Sequence, residues 1–494
     1  MSSPRQLLDR LEAMGVVPTG VADDSRQVQP GDLFLAYPGD LADGRRYIAD
    51  ALARGAVAVF WQPGGDFNFE QNFRLTVGMP VDALRPLAGP LAHAVYGHPS
   101  EGLSLIAITG TNGKTTISQC LAQAYPKPCA IIGTLGAGFP EALTETGFTT
   151  PEATTLMRYL AGFRAAGAAA CALEASSIGI EEGRINGARV DVAVFTNMTR
   201  DHLDYHGTMD AYAEAKKKLF LWPRLRTAII NLDDEFGRVL SRETTAMRIL
   251  GYAIGEQRRD YPALVRAENL VDTPFGQRFN LVLPNGRAPV DTALVGRYNI
   301  SNLLAIAAVL HDAGVQASEV ARRLSELTAP PGRMERLGGQ SEPLVVVDYS
   351  HTPDALENAL VALRPVAESR GGKLVVVFGC GGDRDPGKRP LMGALAERLA
   401  DRVLVTSDNP RSEQPQAIID AIVAGMKLAE VEADRAVAIE RVIGEADVSD
   451  VVLLAGKGHE TYQEISGVRH HFSDIEQAAA ALALRRTNHK EEAA

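Results

Sequence analysis

At 494 residues the chain is too long for one hydrophobic core to keep growing, so about three domains are expected. Hydrophobic residues make up 46% and charged residues 22%, and no apolar run reaches the roughly 18 residues of a membrane-spanning helix, which excludes a helical membrane protein. A net charge of -11 argues against a nucleic-acid partner, because phosphate binding normally shows as a basic surplus, and any anion site must be local.

Pro4, Arg5, Asp9 and Arg10 stand where an export signal would place an apolar stretch, so a cytoplasmic protein is expected; separately, a monomer whose partners are small-molecule substrates is expected. The first hundred residues mix short apolar runs with the turn clusters Pro30-Gly31-Asp32, Pro38-Gly39-Asp40 and Pro63-Gly64-Gly65-Asp66, the texture of a small α/β unit. From Leu103 apolar strands alternate with helical patterns, the signature of a parallel sheet covered by helices. Strands are expected at Leu103 to Ile108, Ala169 to Leu173 and Val190 to Phe195, each followed at once by polar residues. In an open parallel sheet that edge binds ligands. The grammar repeats beyond the linker Pro330-Pro331-Gly332, with strands at Leu344 to Val347, Leu374 to Phe378, Val403 to Val405 and Val451 to Leu454. The tail from Arg485 to Ala494 is charged, without apolar period, and is expected to fray. Cys120, Cys129, Cys171 and Cys380 form no CxxC pair, so reduced, mostly buried thiols are expected.

Between the first of these strands and a helical pattern lies Thr109-Gly110-Thr111-Asn112-Gly113-Lys114-Thr115-Thr116. Glycines there let backbone N–H groups converge on phosphate oxygens, the helix presents its positive end, Lys114 supplies a charge and Thr115 a hydroxyl for Mg²⁺. The pattern GxxxxGK[ST] would need a glycine at Ile108, so the loop is a shortened one. Taken alone, His202 would be a cap or core residue, Lys216 to Lys218 a solvated helix face, and Cys380 a thiol without a base motif beside it.

The segment Gly110 to Thr115 resembles the phosphate loop of the Mur ligases and their folylpolyglutamate synthetase relatives. The likeness continues through Glu174-Ala175-Ser176-Ser177, Thr196-Asn197, Asp201-His202-Leu203-Asp204-Tyr205-His206-Gly207, Asn231-Leu232-Asp233-Asp234, Gly296-Arg297-Tyr298-Asn299, Gly332-Arg333-Met334-Glu335 and Asp348-Tyr349-Ser350-His351-Thr352-Pro353. It implies an α/β protein of three domains: a nucleotide-sugar domain at 1–98, a central P-loop-type parallel-sheet ATPase domain at 99–331, and a Rossmann-like amino-acid-binding domain at 332–494. It implies that ATP is held by Gly110, Thr111, Asn112, Gly113, Lys114, Thr115 and Thr116, with Arg333 on the γ-phosphate, Asn299 on the adenine side and Asp348 on the ribose. Mg²⁺ would be held by Thr115, Glu174, His202 and Lys216, the last as a carbamate. Lys114, Lys216, His202 and Arg333 would be the catalytic group.

Two further sets follow from the resemblance. Ser25, Arg45, Thr149, Thr150, Ser176 and Arg184 would hold the acceptor, UDP-N-acetylmuramoyl-L-Ala-D-Glu. Two departures limit this set: Asp40 and Leu41 replace a His-Gln type pair, so no uracil contact is carried over there, and Ile178 replaces a common histidine. The C-terminal segments Gly379 to Asp385, Lys388-Arg389-Pro390, Asp408-Asn409-Pro410-Arg411 and Gly456-Lys457-Gly458-His459-Glu460 resemble the members that add a diamino acid in peptidoglycan synthesis. They imply a meso-diaminopimelate site of Arg384, Asp408, Asn409, Arg411, Gly456 and Glu460, in which Arg411 selects for the distal carboxylate. The alternatives are lysine as the added residue, a folylpolyglutamate synthetase-like ligase, and a P-loop regulator that signals by hydrolysing ATP.

Overall fold

The computed structural model describes residues 3–39, 42–69, 73, 76–255, 264–273, 276–428 and 430–492. Asp40 and Leu41, where the family-like uracil contact is missing, lie outside them. The strands Ser104–Thr109, Ala170–Glu174, Val192–Phe195 and Thr227–Asn231 are apolar runs without polar alternation, as parallel strands covered on both faces require. Successive side chains leave the sheet on opposite faces, so Leu105 and Ala107 enter one core and Ile106 and Ile108 the other. Ser104–Thr109 runs parallel between Val192–Phe195 and Ala170–Glu174. Its C-terminal end is thereby flanked by Glu174 and Thr196.

Among the described residues this is the centre of an 11-stranded sheet, with a 4-stranded sheet before it and a 6-stranded one after it. The N-terminal sheet, Gly20–Ala22, Asp32–Ala36, Ala58–Trp61 and Gly78–Pro80, is parallel throughout. The last sheet orders Glu335–Gly338, Leu344–Asp348, Val451–Ala455, Leu374–Phe378, Arg402–Val405 and Glu430–Val431, parallel except for the first strand. The antiparallel strands Val265–Thr273, Gly276–Leu283 and Gly286–Thr292 extend the central sheet at one edge. They went unread because each mixes charged with apolar residues in no strict alternation.

The tail is a correction. Arg485 to Glu492, expected to fray, continue the helix Asp474–Glu492, because Ala478, Ala481 and Leu482 are buried and Arg485 donates to the carbonyls of Ile443 and Gly444 at 3.0 and 2.9 Å; Ala493 and Ala494 lie outside the described residues. The start of this helix is fixed from beneath. Arg435 and Asp474, both with fully buried side chains, pair at 2.6 Å.

The first two sheets share one core, in which Leu33 and Leu91 join Leu105 and Leu173. Helix Leu84–Val95 sits so close that a Cβ on Gly89 would meet the carbonyl oxygen of Asn186 at 1.9 Å. Arg158 completes the joint, donating to the carbonyls of Val21 and Gln27 and to Asp32. The third sheet's unit meets the second through polar contacts, Asn112 to Asp354 at 2.9 Å, Arg333 to Thr115 at 3.3 Å and Arg200 to Asp385 at 3.7 Å, and through an apolar seam where Val295 and Tyr298 pack into the third core. The polar contacts exchange readily with water, so this joint opens more easily than the one closed by a shared core.

Removing one partner of a buried ion pair leaves an uncompensated charge. Asp474→Ala is expected to cost the C-terminal part about 3–5 kcal/mol in chemical denaturation followed by circular dichroism. A loss below about 1 kcal/mol, the level of a surface pair, would show that Arg435 finds water in the variant.

Candidate active site

Gly110 and Gly113 have φ of 145° and 91°, which a side chain rarely adopts. Space forbids one as well. A Cβ on Gly110 would meet Thr196 Oγ1 at 1.8 Å, and one on Gly113 would meet Asn302 Oδ1 at 2.5 Å. The loop is braced from the next strand, where Thr196 Oγ1 donates to the Asn112 carbonyl at 2.6 Å and Asn112 N–H donates to Asn197 Oδ1 at 2.9 Å. Lys114, the first residue of helix Lys114–Ala124, folds back to donate to the carbonyls of Gly110 and Thr111 at 2.8 and 2.9 Å. Burial lowers its pKa, against the opposing pull of Glu174 and Asp201.

Glu174 ends its strand fully buried. Its carboxylate accepts from Thr115 Oγ1 at 3.0 Å, Ser118 Oγ at 3.3 Å, and both N–H and Oγ1 of Thr134 at 3.2 and 3.1 Å. Gly133 makes room for it, since a Cβ there would lie 2.2 Å from Oε1. Thr134 also reaches Thr149 Oγ1 at 3.1 Å, and Thr150 Oγ1 donates to the Glu174 carbonyl at 2.7 Å. Ser176 caps helix Ser177–Glu181 by accepting from Gly179 N–H. Arg184 is held by Glu182 at 2.6 Å and by the Thr150 carbonyl at 2.9 Å. Thr149, Thr150, Ser176 and Arg184 are thus one cluster beside Glu174.

Lys216 lies inside the protein, 1% exposed, with its ammonium 4.3 Å from the centre of the Tyr212 ring and no hydrogen bond among the described residues. Burial first, then the nearby charge of Lys114, holds its pKa well below the usual lysine range. His202, in the left-handed region at φ 52°, is kept toward the neutral form by burial and by Lys114 and Lys216, against Asp201.

Two cavities lie between the second and third sheets. One, of about 300 Å³, is lined by Asn112, Gly113, Thr116, Asn299, Arg333 and Asp348 among others. Asp348 accepts from Met334 N–H at 2.8 Å and is bonded by Ser350; burial raises its pKa despite Arg333. The Arg333 Nε is buried without a hydrogen-bond partner among the described residues, while its Nη2 donates to Thr115. The other cavity, of about 570 Å³, has Thr149, Asp201 and His202 on one wall and Arg384, Asp408, Asn409, Arg411, Gly456 and Glu460 on the other. Arg411 adopts φ 51° and is pinned there by Glu464 and Ser466, its N–H donating to the Glu464 carbonyl at 3.0 Å and its carbonyl accepting at 2.7 Å. Its Nη1 donates to the Gly382 carbonyl at 2.7 Å, and its Nη2 has no partner among the described residues. Glu413 does not compete for it, being bound by Arg389 at 2.7 and 2.9 Å.

Not every expected residue arrives here. Ser25 and Arg45 line neither cavity, and the Arg45 guanidinium is spent on Asp43 and on the carbonyls of Gln62 and Gly64. Cys380 is buried against Met392, its thiol pushed up to about 12 by burial, which suits no nucleophile. Asp201, His351, Lys388 and Lys457 stand within the family-like motifs without an expected role, and the first three line the larger cavity. His351 lines the larger cavity, and burial lowers its pKa to about 4. Only its place in the fold reveals this.

The donor set fits a nucleoside triphosphate: a glycine loop with converging backbone, Lys114, and a buried arginine donor with nothing to bond. For Mg²⁺ the fit is partial in a characteristic way. No group of three His, Cys, Asp or Glu suited to a metal exists among the described residues, but Thr115 and Glu174 adjoin the loop, and Mg²⁺ commonly takes one or two carboxylates with substrate phosphates and water.

A phosphate loop at one sheet edge, facing arginines and carboxylates at another across a cleft, defines a nucleotide-dependent enzyme that brings further substrates together. The family models for the Mur ligase family catalytic domain, the Mur ligase middle domain and the Mur ligase glutamate ligase domain match residues 18–96, 108–310 and 332–458. The UDP-N-acetylmuramoyl-L-alanyl-D-glutamate--2,6-diaminopimelate ligase of Ectopseudomonas mendocina is 49% identical over 98% of this chain and 99% of its own. Its counterpart in Pseudomonas aeruginosa is 50% identical over 94% and 95%. A solved structure of a ligase of the same name, 37% identical, superposes with a TM-score of 0.69 over 95% of each chain. MurF from Acinetobacter baumannii, 19% identical with a TM-score of 0.66 over 98% of each, shares the fold. The chain belongs to the Mur ligase family, whose members are ATP-dependent ligases.

Gly113→Ala puts a side chain into the left-handed region and against Asn302. ADP binding measured by calorimetry is expected to weaken about tenfold or more. Unchanged affinity would remove this loop as the phosphate cradle.

Proposed function

We propose that the chain joins meso-diaminopimelate to the γ-carboxylate of the D-Glu residue in UDP-N-acetylmuramoyl-L-Ala-D-Glu, coupled to conversion of ATP to ADP and phosphate, in peptidoglycan synthesis. The observation that carries the reading is the larger cleft, with the phosphate-loop sheet on one wall and Arg384, Asp408, Asn409, Arg411 and Glu460 on the other. Near-full-length identity to ligases of that name supports it. The domain limits 1–98, 99–331 and 332–494 form part of the same proposal.

In this reading an acceptor carboxylate oxygen attacks the γ-phosphorus, the bond to the β–γ bridging oxygen breaks, and ADP leaves with that electron pair. The neutral amine then attacks the acyl carbon, gives up a proton, and the tetrahedral adduct expels phosphate. Two anions must first meet, so fixed positive charge decides the rate. Lys114 supplies it at the loop and Arg333 from the linker, where its free Nε and the polar joint suit closure onto the triphosphate. Mg²⁺, held by Thr115, Glu174, His202 and a Lys216 carbamate, would add positive charge between the phosphates. Asn299 and Asp348 serve the adenosine side. Thr149, Thr150, Ser176 and Arg184 serve the acceptor peptide; Ser25 and Arg45 shape the nucleotide-sugar side.

A carbamate forms when a neutral amine attacks carbon dioxide and sheds a proton, and burial of Lys216 without a carboxylate partner favours the neutral amine. Lys216→Ala is expected to lose turnover that millimolar formate partly restores in a phosphate-release assay. Full activity without formate would take Lys216 out of the metal site.

Diaminopimelate differs from lysine by a distal carboxylate, which a guanidinium grips through paired charge-assisted hydrogen bonds. Product analysis with ATP, the muramoyl dipeptide and either amino acid is expected to show diaminopimelate use only. Arg411→Ala should lower kcat/KM for diaminopimelate by about 100-fold or more, since sites built for a polar group reject analogues strongly, with no matching loss on lysine. Equal wild-type use of lysine would sink the assignment.

A further inference from the structure

Lys457 follows the strand Val451–Ala455 and is 0% exposed, yet it is a charged side chain with no wall of either cavity to itself. Its Nζ donates to Asn409 Oδ1 at 3.1 Å and to Glu460 Oε2 at 3.3 Å, and lies 3.7 Å from Asp408 Oδ1. Asn409 Oδ1 also accepts from Glu464 N–H at 2.9 Å, which fixes the amide, so Nδ2 is the donor that reaches Glu460 Oε2 at 2.7 Å. Glu460 Oε2 is thereby saturated by two donors. Its other oxygen has no hydrogen bond among the described residues, and Asp408 Oδ1 is buried without one. Both residues line the larger cleft.

We propose that Lys457 is a positioning residue that fixes Asp408, Asn409 and Glu460 as the receptor for an ammonium group of the incoming diamino acid. The charges explain why a buried lysine is needed. Two neighbouring carboxylates repel each other, and a cation that contacts both offsets that repulsion. Lys457 stands behind both, 3.7 Å from Asp408 and 3.3 Å from Glu460, so the formal charges of the three sum to one negative charge, which matches one ammonium. Burial pushes the Glu460 pKa up and Asp408 adds to that, while Lys457 opposes it; Tyr349, Tyr462 and Arg435 are the other titratable or charged groups facing Glu460. A layer further down, Arg435 donates to the carbonyls of Ala455 at 3.0 Å and Ser407 at 3.4 Å, the residues just before Gly456 and Asp408, so the backbone of both loops is fixed as well.

The inference rests on reading the cleft as the diamino-acid site. The test compares full-length wild type, Lys457→Met, Lys457→Gln, Glu460→Gln and the double variant Lys457→Met/Glu460→Gln, with ATP and acceptor saturating. KM for diaminopimelate should rise about 10- to 100-fold in Lys457→Met, as expected when a buried charged group loses its partner, with kcat falling far less. Relative to wild type the KM defect should shrink as the pH is raised, because burial and Asp408 hold the Glu460 pKa up and a higher pH then ionises it without Lys457. The defect of Glu460→Gln should not shrink, and the double variant should be no worse than Glu460→Gln. Melting curves and ADP affinity report folding; if Lys457→Met is unfolded, Lys457→Gln, which keeps a donor for Asn409, is read the same way. A KM near wild type, a pH-independent defect shared equally by kcat and KM, or loss of folding in both Lys457 variants overturns the proposal. A wild type that ignores diaminopimelate would instead overturn the reading of the cleft.

Discussion

The buried carboxylate of Glu174 is the interaction on which the rest of the site depends. Four hydrogen bonds from Thr115, Ser118 and Thr134 converge on it, tying the helix of the phosphate loop to the end of one neighbouring strand and the turn after another. A carboxylate so deeply buried is tolerated only because its lone pairs are occupied. It sets the position of Thr115, and through Thr115 it meets Arg333, just before the first strand of the third sheet. The acceptor-side cluster hangs from the same residue, since Thr150 bonds its backbone carbonyl and Thr149 bonds Thr134.

Around this anchor the molecule divides by the chemistry of its joints. The first two sheets are welded by a continuous apolar core and a glycine contact that admits no side chain. The third meets them through an apolar seam at Val295 and Tyr298 and through ion pairs and single hydrogen bonds, the latter costing little to exchange for water. Of the nine non-glycine residues with positive φ among the described residues, four stand at this seam: His202, Met334 and Arg411 line the cavities and Asp383 adjoins Arg384. Strain of this kind persists only where surrounding bonds over-determine it, as the paired backbone bonds at Arg411 do.

Charge is distributed in layers. Exposed or cleft-facing groups such as Arg384, Lys388 and Arg411 can meet substrate anions, whereas Lys457 and Arg435 are sealed behind them and neutralise carboxylates from within. Burying two cations is expensive, and each is fully engaged, Arg435 by a bidentate pair with Asp474 and two carbonyls. The result is a receptor whose polarity is set by groups a ligand never reaches.

By itself the sequence determined the strand–loop–helix of Gly110 to Thr116, the parallel runs that build the second and third sheets, and the family, because these depend on local apolar periodicity, turn chemistry and ordered motifs. The chain-end helix was misread since it is held by packing of Ala478, Ala481 and Leu482 in the core that includes Ile443 and by bonds from Arg485 to the carbonyls of Ile443 and Gly444, at a distance in sequence. The charged antiparallel edge of the central sheet was missed for the same reason, its pairing being non-local. Arg45 was expected among the residues that hold the acceptor; only folding brought the carbonyls of Gln62 and Gly64 to its guanidinium. Lys457 was one letter in a glycine-rich motif until two strands from different parts of the chain set it under Asp408, Asn409 and Glu460. Local pattern fixes which elements form and which loop binds phosphate, but which charges are buried, paired or left open is a property of distances between residues far apart in sequence, and the tertiary structure alone sets those.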